Sequence, residues 1–411
     1  MNLIKFCQLS FLALCLLGIE VSAASTTFNS PASLCSYCKN ILKPTQLKRA
    51  IHLAAGYLQR MGTKNGKFIY QINLNPKVKL KSTYNMLRHA GTMYALAMYE
   101  QKYPNSKNRE LLNRAAQFLQ TTIAPVPDRE DLRAVWSYPD IINKKKPVQA
   151  KLGGTGLGLV ALLSLEKIQP GTTSLEDLRK MGNFIRFMQK NDGSFYSKYI
   201  PSHGGKNEKW TSLFYPGEAA LGLLMLYEKD PAPIWFQTAT KALTYLARLR
   251  TGKTLVEADH WALLATAKWF SVNQNPFTDA RIRQHAQQIV ESILITQAQL
   301  PKTSKRFGGF NPDGRTTPTA TRLEGLLAAL TFLPSDQLLL RKLTTSATVQ
   351  GLAFLRRAQI RSGQYAGAIP RIIQPFSKKR RKSNEPRATE VRIDYVQHAL
   401  SAMLQFEQMF Y

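Results

Sequence analysis

The chain has 411 residues, 44% of them hydrophobic, which is ample for a packed core and excludes wholesale disorder. Its length suits one large domain or two smaller ones, and no linker divides it. Lys and Arg number 56 against 26 Asp and Glu, so a formal charge of +30 favours acidic partners.

Residues 1–23 read as a secretory signal: Lys5 gives the positive start, Phe11 to Gly18 the apolar run, and Val21-Ser22-Ala23 the cleavage site. The run is too short to span a bilayer comfortably, and no second run of membrane length follows. Leu14 stands before Cys15 where a lipid anchor would want a small residue. A soluble product, periplasmic or secreted, is expected. Residues 24–44 then carry Cys35-Ser-Tyr-Cys38. A redox pair would need a βαβ context, haem a following His, and zinc a second cysteine pair, so the expectation is a local disulfide between Cys35 and Cys38.

From 45 to 411 the pattern is helical. Residues 45–61 form an amphipathic helix, and Gly66 to Val78 alternates as a short hairpin would. The first apolar helix starts at Asn85, with an outer partner over 111–121, and a loop carrying Pro125, Pro127 and Pro139 leads to Lys151. Thr173-Ser-Leu-Glu176 is a capping box that opens the next amphipathic helix, whose pattern Gly193 ends. Further outer helices are expected over 233–250, 279–299 and 336–361. Gln189 before Gly193-Ser-Phe195 has counterparts in Gln59 before Gly66-Lys-Phe68 and Gln359 before Gly363-Gln-Tyr365. Gln can bond the turn backbone while the aromatic covers the joint.

Six segments share another grammar, a polar opening followed by small and aliphatic residues on every side. They start at Asn85, Lys151, Phe214, Glu257, Thr321 and Val391. Such helices are buried, and amphipathic ones lie between them. The alternation predicts an all-α (α/α)6 toroid, with a short β-hairpin near the N-terminus. The inner helices then run in one direction and bring six positive dipole ends to one face.

This alternation, with the Gln…Asp-Gly-Ser-Phe turns, resembles the six-hairpin glycosidase superfamily along nearly the whole mature chain. That superfamily shares its toroid with polysaccharide lyases, sugar epimerases and, more remotely, terpenoid cyclases. The resemblance constrains the fold more than the reaction. The Asp-x-Asp-Asp acid of squalene-type cyclases is missing, as is the Cys and His set of zinc-dependent lanthionine cyclases and protein prenyltransferases.

The inner-helix openings supply the candidate site. Glu218, Asp259, Glu324 and Asp394 are the carboxyl pool for hydrolysis, which needs one protonated and one ionised member. A lyase or epimerase would use His260 or His398 as base, with Arg88, Lys151, Arg322 or Arg392 neutralising a uronate. His89 and Tyr215 are further binding candidates, and Trp261 would suit a sugar-stacking floor. Each residue has a blander reading. Glu218 can complement a helix dipole, Asp259 can start a helix, Arg322 can pair with Glu324, and Asp394 with His398 at i,i+4.

The expected function is an exported carbohydrate-active protein, first a glycoside hydrolase on an anionic glycan. A polysaccharide lyase or uronate epimerase is the alternative chemistry. A non-enzymatic cell-envelope scaffold or a cyclase-like toroid is the alternative class. No metal or cofactor is expected. Nucleic acid is disfavoured because the basic residues are scattered, and the run Lys378-Lys-Arg-Arg-Lys382 reads as solvated surface. Carboxyls that converge on one site argue for catalysis; carboxyls that pair off argue for packing.

Overall fold

The computed structural model describes residues 38, 41–80, 83–142, 146–273, 280–297, 299–373 and 387–411. The signal segment, Cys35 and the 378–382 run lie outside them, whereas Cys38 is buried. Thirteen α-helices are present among the described residues, and no helix is long and apolar enough to cross a membrane.

Six helices form the inner wall: α2 (Met86–Lys102), α5 (Leu152–Glu166), α7 (Tyr215–Lys229), α9 (His260–Val272), α11 (Thr316–Leu330) and α13 (Ile393–Phe410). Each packs on the next, and α13 packs back on α2, so the ring closes. Burial follows composition: every residue of α5 is buried, because Gly, Ala and Leu leave it no polar face. Close approach is built in at Gly217, where an added Cβ would come within 2.6 Å of the α9 backbone. The outer wall is α1 (Pro44–Met61), α3 (Ser106–Gln120), α6 (Leu175–Phe187), α8 (Pro233–Arg250), α10 (Ala280–Ile295) and α12 (Leu338–Ala358). The expected (α/α)6 toroid is what the chain forms. The remaining helix, α4 (Pro139–Ile142), is a single turn.

The sixth outer helix is α1, the first in sequence, which packs on α13, the last. Its stripe of Leu47, Ala50, Ile51, Ala54 and Leu58 is buried there and against its neighbours. Glutamines bind successive outer helices together. Gln189 Nε2 donates to Thr238 O of α8 at 3.0 Å, Gln297 to Ala347 O of α12 at 3.2 Å, and Gln359 to Ala50 O of α1 at 2.9 Å. Of the repeated glutamines, Gln189 and Gln359 thus bond the next hairpin, and Gln189 also reaches Gly193 O of its own turn at 3.3 Å.

Two local expectations need correction. Ser174, not Thr173, caps α6, accepting from Asp177 N at 3.1 Å, while the Thr173 N–H donates to Glu166 at 2.9 Å. The chain does double back at Gly62 and Phe68, but the strand that follows, β1 (Gln71–Asn73), pairs with distant β7 (Glu390–Arg392) rather than forming a hairpin within 66–78. The larger sheet is antiparallel in the order β2 (Ile123–Val126), β3 (Arg129–Ser137), β4 (Gln149–Lys151), β5 (Lys198–Ile200), β6 (Gly205–Asn207). Its first hairpin turns at Pro127-Asp128, with Asp128 at φ 60°. Strand β4 runs straight into α5, so this sheet stands at the N-terminal face of the inner ring.

Candidate functional site

The carboxyl pool divides in two. Asp259 caps α9: its Oδ1 accepts from Ala262 N at 3.1 Å, and its Oδ2 from Arg250 Nη2 at 2.8 Å. Arg250 in turn donates to His285 Nε2 at 3.0 Å, tying α8, α9 and α10 together. Burial pushes the Asp259 carboxyl up, while Arg250 and the cap bond oppose it. Asp394 is engaged more fully. Arg392 donates to both its oxygens, at 2.9 and 2.6 Å, and Arg88 Nε donates to Oδ2 at 2.9 Å. Burial would raise this carboxyl, but the two guanidiniums hold it below the usual range. These two acids pair off, so their geometry is that of structural groups.

Glu218 and Glu324 do not. Glu218 is buried in the first turn of α7, and its Oε2 has no hydrogen-bond partner. Burial, reinforced by Asp259, pushes its carboxyl well above the usual range against the weaker pull of Arg88. Its surroundings therefore favour the neutral form, which is able to donate. Gly153 of α5 leaves the space that this carboxyl and the Tyr215 ring occupy. Arg88 bonds Asp394 and also acts on Glu218, which places those two carboxyls at the same end of the ring.

Glu324 meets two imidazoles. His398 Nδ1 lies 2.7 Å from Glu324 Oε2, and His260 Nε2 lies 3.9 Å from the same oxygen. The first contact has the geometry of an Nδ1–H donating to a carboxylate, which leaves His398 Nε2 with its lone pair. His260 has no partner on either ring nitrogen, and Glu324 Oε1 has none. Burial, helped by His398 and Arg322, holds His260 well below the ordinary histidine range, so it stays neutral. The two rings stand 5.5 Å apart, with Trp261 packed 5.0 Å from His260 and 6.3 Å from His398. Tyr94 of α2 also feels the Glu324 charge, so α2, α9, α11 and α13 converge here. The expected i,i+4 pair of Asp394 with His398 is absent, because His398 turns to Glu324 instead.

The depth of Glu324 was unexpected. Helix α11 begins at Thr316 rather than near 321, so Glu324 lies eight residues inside it, about 12 Å along the axis. Pro318 stands in the first turn, where a missing N–H is tolerated. Arg322 makes no pair with Glu324: its Nη1 donates to Asn311 Oδ1 at 3.1 Å and Pro318 O at 3.2 Å, and its buried Nε has no partner.

His89 needs correction as a binding residue. Its Nδ1 meets Tyr84 Oη at 2.8 Å and its Nε2 meets Ala115 O at 2.9 Å, so both nitrogens are taken, the first by the segment before α2 and the second by α3. Trp261, at 3% exposure, is a wall beside the imidazoles and not an open stacking floor. Trp210 is exposed, at 45%, and packs edge-on to Tyr215 at 5.5 Å. Sequence reasoning passed over it, although a Trp in the polar loop just before the α7 helix was a usable signal.

His260, Glu324 and His398 are the one group among the described residues with three metal-ligand side chains in mutual reach, all within 4.8 Å. Two ligands on one tetrahedral zinc stand about 3.4 Å apart by its bond lengths. The 2.7 Å contact is thus a hydrogen bond, and the arrangement fits proton transfer better than coordination. A separate open cleft of about 620 Å³ on the outer wall, between α6 and α8, shares no residue with this cluster.

No protein-family model matches the chain, and no curated protein does. Its fold, however, is shared by solved structures. A cellobiose 2-epimerase from Spirochaeta thermophila superposes with a TM-score of 0.59 at 12% identity, covering 90% of this chain and 99% of its own. A D-mannose isomerase gives 0.61 at 10%, covering 89% and 98%. An unsaturated glucuronyl hydrolase specific for heparin gives 0.60 at 10%, covering 90% and 98%. The fold is the six-hairpin glycosidase-like toroid that the sequence pattern resembled.

Proposed function

We propose that this chain is an enzyme that moves a proton at a sugar carbon, with His260, Glu324 and His398 as its acid–base centre. The observation that carries this reading is the pair of imidazoles flanking one buried carboxylate, one ring wholly unpartnered and held neutral. A neutral imidazole can take a proton from the carbon next to a sugar carbonyl or uronate, the electron pair moving onto that oxygen. The imidazolium so formed can return that proton at the neighbouring carbon, giving an isomer, or pass it through Glu324 to the other ring for return on the opposite face, giving an epimer. If a leaving group departs instead, the product is an unsaturated sugar. Glu218, as a neutral carboxylic acid, supplies a hydrogen bond to the developing oxyanion. Neighbours named as an epimerase and an isomerase support sugar chemistry of this class on the fold. The excess of basic residues favours an acidic glycan, and the signal-like residues 1–23 favour export.

Hydrolysis is the second reading, favoured by the protonated, unpaired Glu218 as general acid. One experiment separates the two. The protein is incubated in D2O with a panel of aldoses and uronate oligosaccharides, and product mass is read. Deuterium on carbon in an isomer or epimer, or an unsaturated product formed without added water, is expected, and His260→Gln and His398→Gln should each slow its appearance at least about 10²-fold. A product heavier by one water, with no deuterium on carbon, would overturn the proton-transfer reading in favour of hydrolysis.

A further inference from the structure

A second group of side chains beside Glu218 has no role in that chemistry. Lys151 ends β4 and caps α5, and its direct cross-strand partner is Lys198 of β5. Directly opposed residues project from the same face of a sheet, and like charges so placed repel. No carboxylate relieves them: among the described residues neither ammonium has an acidic partner, and the charges that act on Lys151 are Lys146, Lys198 and Arg88. Burial and those cations push Lys151 down to about 8. A sheet that sets one half-buried lysine opposite another stores a repulsion that an anion removes.

The surroundings specify the kind of anion. Lys198 Nζ sits 4.4 Å over the Trp210 ring, so the cation and an exposed indole face form one surface. Trp210 meets Tyr215, and Tyr215 shares with Glu218 the space left by Gly153. The loop carrying Trp210 is pinned to β5, since Ser212 N donates to Ser197 Oγ at 3.0 Å. An indole beside a cation pair suits a flat sugar ring that carries an acid group; a bare inorganic anion would leave the indole unused.

We propose that Lys151 and Lys198, with Trp210 as platform, form a subsite for an acidic saccharide, its carboxylate or sulfate between the two ammoniums and its ring against the indole. This deepens the saccharide reading above and rests on it, placing the acid-bearing unit next to Glu218. The shared chemistry is a sugar ring with an oxyanion substituent; carboxylate and sulfate are distinguished by the test.

The test is calorimetric titration of the full chain with three matched disaccharides, one ending in a uronate, one sulfated and one neutral, in low salt. The acidic pair should bind at least tenfold more tightly than the neutral one, and the tighter of the two names the substituent. Lys151→Gln and Lys198→Gln should each remove most of that advantage, Lys198→Arg should keep it, and Trp210→Ala should weaken all three ligands. Should Lys151→Gln fail to fold, Lys198→Gln decides alone. Equal binding of acidic and neutral sugars, binding of none, or an advantage untouched by the Lys198→Gln change overturns the subsite. The D2O assay on the same wild-type protein keeps the two ideas apart. An acid preference with neither carbon-bound deuterium nor an unsaturated product leaves the subsite standing and removes the proton-transfer reading.

Discussion

Gly153 and Glu218 occupy each other's space: the Cβ that any other residue would carry at 153 falls on the Glu218 carboxyl and the Tyr215 ring. The helix α5 backbone therefore forms one wall of the acid's pocket. Gly153→Ala is expected to cost about 1–3 kcal/mol, the range for overpacking a tight site, and to displace Glu218. Thermal melts should show a lowered but cooperative transition. Turnover should fall further than that stability loss alone explains.

The two carboxyls held by arginines should behave differently from Glu324, whose partner is an imidazole. Asp394→Asn leaves Arg88 and Arg392 facing an uncharged amide, and removing one partner of a buried pair costs about 3–5 kcal/mol. Asp259→Asn does the same to Arg250. Both variants should lower the melting temperature strongly. Glu324→Gln, which keeps the shape and removes only the charge that orients His398, should leave most of the melt intact while lowering turnover about 10²-fold. Equal melting losses for Glu324→Gln and Asp394→Asn would contradict the division.

Stability should decline as pH falls from neutral. His89 is held at about 4 and His285 at about 3, both chiefly by burial, whereas an unfolded histidine titrates near its ordinary value of 6.5. Each of these folded values is depressed, so protons prefer the unfolded chain. The histidines' contribution is complete above 6.5 and is lost as pH drops toward 4 and 3. For His89 the loss is on the order of 3 kcal/mol. The raised Glu218 works in the opposite sense, favouring the folded state at low pH and losing that benefit as pH rises above the ordinary carboxyl value. His89→Gln cannot take up the proton. It should start from a lower melting temperature and lose less of it between pH 7 and pH 5 than the wild type.

Affinity for an acidic saccharide should fall as pH rises through about 8. Burial, and after it Lys146, Lys198 and Arg88, push Lys151 down to about 8. A bound anion raises that value, so the midpoint should move upward at saturating ligand. Binding that stays level from pH 7 to pH 9.5 would separate Lys151 from the interaction.

The toroid was legible because a buried helix has nothing to put on a polar face: the Gly, Ala and Leu run of 152–163 admits no other environment. Helix 233–250 was readable to the residue because Pro233 opens it and polar residues follow Arg250. Other parts were hidden for physical reasons. Prolines at 125, 127 and 139 suggested a loop leading to Lys151, yet Pro125 lies in the end strand β2, and Pro127-Asp128 is itself the hairpin turn. Strand β1 found its partner more than 300 residues away in β7, which no local pattern encodes. At the site, sequence supplied Glu218, His260, Glu324 and His398 but not which acids were already taken. That depended on Arg250 reaching in from an outer helix, and on Arg88 and Arg392 meeting one carboxylate from opposite sides.

The closure of the ring by its first and last helices has a consequence for the order of events during synthesis. Helix α1 emerges early, yet the wall that buries its Leu47, Ile51 and Leu58 stripe is α13, the final helix to be made. Until then the growing polypeptide is an open arc with two unsealed apolar edges, and His398 is not yet there to meet Glu324. The ring therefore cannot close before α13 is present, and truncations that remove α13 should yield aggregation-prone, inactive products. By the same geometry, joining the two ends and cutting an outer loop elsewhere keeps every seam, so a circularly permuted gene should give a protein with the same ring.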